Sequence, residues 1–111
     1  MKHFLIGCLF FCTSAFAQDG AAVLSTGKLD KYVAYFNSLD KEEVKNYVPD
    51  DQAAQWLQQN IPLFECPDSV IEQTYYYRWW SFRKHLKQTP DGFIITEFII
   101  PVKHAGRYNA L

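Results

Sequence analysis

DSVIEQTYYYRWWSFRKHLK, residues 68–87, is the stretch on which the fold turns. Asp68 or Ser69 can cap a helix, and Ile71, Tyr75, Trp79, Phe82 and Leu86 follow at helical spacing. A helix from Val70 to about Lys87 is therefore predicted. Six of the eight residues from 75 to 82 are aromatic, so rings project from it in all directions. One stripe can face a local core, but Tyr76, Tyr77 and Trp80 then need another partner. Trp and Tyr join a flat apolar face to a polar tip, which suits stacking on the C–H face of a sugar ring.

Downstream, Thr89-Pro90-Asp91-Gly92 is a turn, because Pro presets φ and Gly accepts positive φ. Phe93 to Ile100 (FIITEFII) is β-branched and aromatic and reads as a strand ending before Pro101. Upstream, Leu63 to Pro67 is an extended linker, since residues before Pro avoid the α region. Lys28 to Leu39 carries Leu29, Tyr32, Val33, Phe36 and Leu39 as one apolar helical stripe. Asp40-Lys41-Glu42-Glu43 has the form of a capping box and predicts a second short helix through Tyr47, stopped by Pro49. Asp50 or Asp51 then caps a third helix with Ala53, Ala54, Trp56 and Leu57, closed by Asn60 and Pro62. The expected fold is mainly α with one short strand or hairpin near the C-terminus.

The first seventeen residues read as an export signal. Met1-Lys2-His3 gives a positive start, Phe4 to Cys12 is apolar, and Ala15-Phe16-Ala17 is an Ala-x-Ala site with cleavage after Ala17. The apolar run is too short to span a bilayer core of ~30 Å, so no transmembrane segment is expected. Leu5-Ile6-Gly7-Cys8 also fits a lipoprotein pattern, but cutting there leaves little apolar chain before the cut. An exported, periplasmic or extracellular protein follows. Residues 18–27 form a weakly patterned lead-in, 28–60 a helical segment, and 61–111 a second unit. Cys8 and Cys12 leave with the signal, so Cys66 stands alone and no intrachain disulfide is possible in the mature chain. The formal charge of −1 argues against nucleic acid as a partner, because such proteins usually show a basic excess.

Few residues point to chemistry. Arg78 and Arg83 sit among rings and can pair with a carboxylate through both guanidinium nitrogens. Glu97 interrupts FIITEFII, where a charge buried on both faces is costly unless paired; it guards an edge strand or points into a polar cleft. His85 lies between Lys84 and Lys87 on a wet face, and His104 lies in the loop Val102 to Asn109. Two histidines without a carboxylate at ligand spacing do not make a metal site. No phosphate loop, nucleophile elbow, Cys–His pair or cofactor motif is present, and nothing selects two carboxylates as acid and base.

Pro62-Leu63-Phe64-Glu65-Cys66-Pro67-Asp68, Thr74-Tyr75-Tyr76-Tyr77-Arg78-Trp79, His85-Leu86, Asp91 to Phe98 and Val102 to Asn109 together resemble the opening of certain bacterial secreted glycosidases. These are the mannosylglycerate-hydrolase-like and trehalase-like enzymes with an (α/α)6 barrel. The resemblance covers about 50 residues and rests on the order and spacing of short words. It implies that the chain is an N-terminal piece of such a barrel, because twelve helices do not fit in the 94 residues left after the signal. The motif-rich loop running on to Leu111 gives the same expectation. Such enzymes place a general acid and a general base on opposite sides of the sugar, farther along than this sequence reaches, so no catalytic residue is transferred. Tyr77, Arg78, Trp79, Glu97 and His104 match the shared words and are the residues expected to line a sugar cleft.

The resulting expectation is a secreted glycoside hydrolase fragment, inactive alone, with carbohydrate as its partner. The alternatives are a small secreted carbohydrate-binding module with an external aromatic platform, and a protein-interaction module.

Overall fold

The computed structural model describes residues 23–106, 108 and 109. The signal, its cleavage site after Ala17, Cys8, Cys12, the first half of the lead-in, Arg107 and the last two residues lie outside the described residues. The fold is mainly α, with three helices and a C-terminal β-hairpin. The helices are α1 (Gly27–Leu39), α2 (Ala53–Asn60) and α3 (Ser69–Phe82), and the strands are β1 (Leu86–Thr89) and β2 (Gly92–Ile95). Short 3-10 turns, Asp50–Gln52 and Arg83–His85, lead into α2 and out of α3.

On α1 the apolar stripe does what its spacing predicts for Leu29, Val33 and Phe36, which are buried. Leu39 lies at the helix end and is exposed. The helix predicted after Asp40 does not form, and residues 40–49 run as irregular chain. Two contacts explain this. Glu42 has φ +42, a left-handed conformation that no α-helix continues through. Its carboxylate reaches forward to the Asp50 N–H at 3.0 Å, and the Asp40 carboxylate is held by Lys84 as well as by the Glu42 N–H.

Asp68 is the cap of α3, its Oδ1 accepting from the N–H groups of Val70 (2.9 Å) and Ile71 (3.3 Å). The helix is shorter than predicted, ending at Phe82, and Leu86 begins a strand. Its buried stripe also differs. Ile71 is exposed, while Glu72, Tyr76 and Trp80 face inward, and buried Arg83 continues the line. The ring of Tyr76 stacks on Tyr32 at 5.4 Å, and Trp80 meets Phe36 at 5.6 Å. Those rings join Leu29, Val33, Ala53, Leu57 and Ile61 in one core. Burial of each large apolar side chain contributes roughly 1.5–3 kcal/mol, so the rings and the aliphatic residues of this cluster both hold the helices together.

Tyr76 is 1% exposed and Trp80 6%, so this chain hides both rings by itself. Their need for a second partner, expected from crowding, is overturned. Tyr77 remains 47% exposed.

The hairpin pairs Leu86 with Ile95 and Thr89 with Gly92, around the predicted Pro90-Asp91 turn. Gly92 has φ +128, a backbone that side chains strain. The strand stops at Ile95, short of the predicted Ile100. Buried Thr96 ends it, with its Oγ1 2.9 Å from the Phe98 carbonyl in a local turn.

Candidate functional site

Two buried polar knots tie the elements together. Arg83, fully buried, donates from Nη1 to the Val48 carbonyl at 2.6 Å and from Nη2 to Asp50. Lys84, also buried, bonds Asp40, lies 3.4 Å from Asp50, and sits 4.4 Å above the Trp80 ring. The Lys84 ammonium holds the Asp40 carboxyl below the usual carboxylate range. These charges fasten the loop 40–50 to the end of α3.

Glu72 makes the second knot. It accepts from the Cys66 N–H (3.0 Å), from Lys28 (3.1 Å) and from the Tyr32 hydroxyl (3.1 Å). Those donors, the Cys66 N–H foremost, pull its pKa down, while burial opposes them. Beside it, the Tyr76 hydroxyl donates to the Phe64 carbonyl (2.8 Å) and accepts from the Phe64 N–H (3.0 Å); burial raises its pKa. Apart from the Arg83 Nε, the charged groups of these knots are engaged by structural partners. Cys66 is partly buried, its Sγ 3.3 Å from the Asp68 N–H in the turn before α3.

The outer side of α3 is different. Thr74, Tyr77, Arg78, Trp79, Ser81, Phe82 and His85 line a groove of about 750 Å³. Most recur at steps of three and four along the helix, on the side away from Glu72, Tyr76 and Trp80. Tyr77 lies against Trp80 at 5.8 Å and 27°, and Trp79 meets Phe82 edge-on at 5.8 Å. Arg78 is exposed, and its side chain has no ion pair or hydrogen bond among the described residues. His85 Nδ1 lies 2.7 Å from the Thr96 carbonyl, which fixes the ring at the start of the hairpin. A second groove, about 570 Å³, runs between the loop 39–46, α3 and Ile99-Ile100, and includes Asp40, Glu42 and Glu43.

Of the residues expected to line a cleft, Tyr77, Arg78 and Trp79 share the first groove. Glu97 and His104 are exposed and line neither groove; His104 packs edge-on against Phe98 at 5.5 Å. Sequence reasoning missed Ser81, Phe82 and Thr74 as groove residues, although their helical spacing from Tyr77 and Arg78 is a sufficient sign. It also missed the Arg83–Asp50 pair, which no local spacing reveals. Among the described residues no three His, Cys, Asp or Glu side chains gather as a metal site.

No family model matches the chain, and no curated protein matches it significantly. A solved structure does match, and there this helical piece is a small part of a larger glycosidase chain. That protein is a sialidase, 41% identical over the match, with a TM-score of 0.74. The match covers 79% of this chain and 8% of the sialidase.

Proposed function

We propose that this chain is the N-terminal portion of an exported glycoside hydrolase and is inactive by itself. The observation that carries this is the sialidase match: close sequence and backbone agreement over most of this chain, within a protein of which it spans only 8%. Hydrolysis of O-glycosidic bonds belongs to the body that follows, which on the resemblance described above is an (α/α)6 barrel carrying the acid and base. The part this chain plays is scaffold and groove wall. Its buried knots lock α3 in place, and Tyr77, Arg78 and Trp79 face the carbohydrate.

The DNA immediately downstream of codon 111 tests the reading. An in-frame or frameshifted continuation of several hundred residues related to a glycosidase is expected. A stop followed by unrelated sequence overturns it. The purified chain should show no turnover of aryl glycosides, and measured hydrolysis would contradict the division of labour.

One observation favours a second reading. Because Tyr76 and Trp80 are shielded by the chain's own core, a free-standing carbohydrate-binding module is physically possible. Sharp cooperative melting of the chain together with micromolar oligosaccharide binding, lost on Trp79→Ala, would favour it.

A further inference from the structure

We infer that the open edge of β2 pairs with a strand of the body that follows this chain in the longer polypeptide, extending the hairpin into a larger sheet. The inference rests on the reading of the chain as the first part of a glycoside hydrolase. It adds the surface by which that part is joined to the rest.

The backbone carries the first argument. Bonded and non-bonded residue pairs alternate along an antiparallel hairpin. The Thr96 N–H donates to the His85 carbonyl at 2.8 Å, so Lys87–Ile94 and Thr89–Gly92 are bonded pairs, with Leu86–Ile95 and Gln88–Phe93 between them. The N–H and C=O groups of Phe93 and Ile95 therefore point away from β1. Among the described residues none of these four groups has a hydrogen-bond partner. The other edge is less open, because the Leu86 N–H donates to the Arg83 carbonyl and Lys87 puts a charge in β1. By contrast β2 (GFII) has no charge, proline or bulge, the devices that keep a strand edge unpaired.

Side chains carry the second. Phe93 and Ile95 share one face of the hairpin and are 58% and 59% exposed, and half-exposed Tyr47 stands edge-on to Phe93 at 4.9 Å. Together the three leave on the order of 300 Å² of apolar surface uncovered. An interface between separate proteins needs about 800 Å² from each partner, so this patch is too small to hold a second copy or an independent protein. A segment tethered in the same polypeptide meets it at an effective concentration of about millimolar, where a short strand pairing suffices. The match spans 8% of the solved sialidase, so in that protein most of the polypeptide lies outside the matched piece. A two-stranded ribbon is also marginal by itself, and a third strand gives such a sheet its stability. The strand that fits is extended, uncharged where it meets Phe93 and Ile95, and apolar on the face it shares with them.

Hydrogen–deuterium exchange, read residue by residue, tests this on two proteins: this chain alone, and the same chain continued through the sequence encoded downstream. In the chain alone the Phe93 and Ile95 amides should exchange freely, while the Ile94 amide is protected by its bond to Lys87. In the continued polypeptide both should slow by about 100-fold, the signature of a new strand pair. Ile95→Pro removes one outward N–H without touching the bonds inside the hairpin, and it should abolish the slowing at Phe93. Phe93→Ser trims the apolar face and should cut the slowing at Ile95 to less than about tenfold. Both positions are exposed, so both variants should leave the melting temperature of the chain alone within about 3 °C of its starting value. Equal exchange of Phe93 and Ile95 in the two proteins overturns the inference and leaves the glycosidase reading standing. Slowing that survives Ile95→Pro overturns it too, because side chains and not the strand edge would then be covered. So does protection in the chain alone that rises with its concentration, which makes a second copy the occupant. A downstream sequence unrelated to a glycosidase overturns the glycosidase reading itself and this inference with it, so the two failures are told apart.

Discussion

Replacing Asp50 with Ala should be among the most damaging single changes in this fold, although Asp50 lies in a short surface turn. Arg83 is fully buried, and its guanidinium lies 5.2 Å from the Trp80 ring centroid. Its one charged partner is Asp50; the remaining described bond is to the Val48 carbonyl at 2.6 Å. The Arg83 Nε is buried and has no hydrogen bond, so the guanidinium has no spare contact to fall back on. Removing the Asp50 carboxylate leaves a buried cation with one neutral acceptor, and breaking such a pair costs about 3–5 kcal/mol. At ~0.1 kcal/mol per residue the whole domain is stable by roughly 9 kcal/mol, so a third to a half of the stability is at stake. With about 4–8 °C lost per kcal/mol at this size, the melting temperature should fall by roughly 20 °C. Urea unfolding of the chain measures it, and the midpoint should drop by about 2 M. The double variant Asp50→Ala with Arg83→Met should recover part of the loss, because the orphaned charge is then gone. A loss below about 1 kcal/mol for Asp50→Ala, or no recovery in the double variant, would refute the reasoning, since it would mean that water or another group neutralises Arg83.

Two further outcomes follow from the same geometry. Asp68→Ala removes the acceptor for two N–H groups at the start of α3 and should cost about 1 kcal/mol in urea unfolding, with Asp68→Asn close to wild type; equal losses for both would point to charge rather than capping. Asp40 and Glu72 have folded-state pKa values below their ordinary ones, so the unfolded chain binds more protons and stability should rise with pH through the acid range. The stabilisation is complete above the ordinary carboxylate range and is lost as pH falls through the lowered values, so thermal melts should show steady weakening from about pH 5 downward; a flat profile between about pH 5 and 3 would contradict it.

How legible the sequence was depends on what each element uses to hold itself in place. α1 and α2 bury ordinary apolar residues at helical spacing, and Leu29, Val33, Phe36, Ala53 and Leu57 are found where periodicity puts them. The hairpin turn is legible because Pro90 and Gly92 carry local backbone preferences. Asp40 to Glu43 misleads for the opposite reason: its carboxylates answer to Lys84 and to the Asp50 N–H, and no local rule contains those partners. On α3 the misreading has another cause. The inward stripe passes through Glu72 and Arg83, which a search for apolar periodicity discards, while six rings in eight positions let almost any stripe look apolar. The site was legible in part. Tyr77, Arg78 and Trp79 were named on a resemblance, and they share a groove because neighbours on a helix stay neighbours. Glu97 and His104 were grouped with them on the same resemblance, and the chain turns at Thr96, where the strand was expected to run on to Ile100.

The aromatic crowding from which a further partner for Tyr76, Tyr77 and Trp80 was expected has a narrower physical meaning. Successive helix positions differ by about 100°, so residues two apart lie nearly opposite each other and a ring-bearing face on each side needs rings at nearly every position. Tyr76 and Trp80 serve the inner face, with the Trp80 indole donating to Asn37 at 2.7 Å, and Tyr77 and Phe82 serve the outer groove. Trp79 stands at the boundary, half-buried against Tyr75 and Phe82. The crowding therefore reports a helix with two used faces. One face is accounted for by this chain's own core. On the other, Tyr77 touches Phe36 of α1 with one edge and is otherwise exposed, and an unpaired Arg78 stands beside it in a groove with no acidic residue.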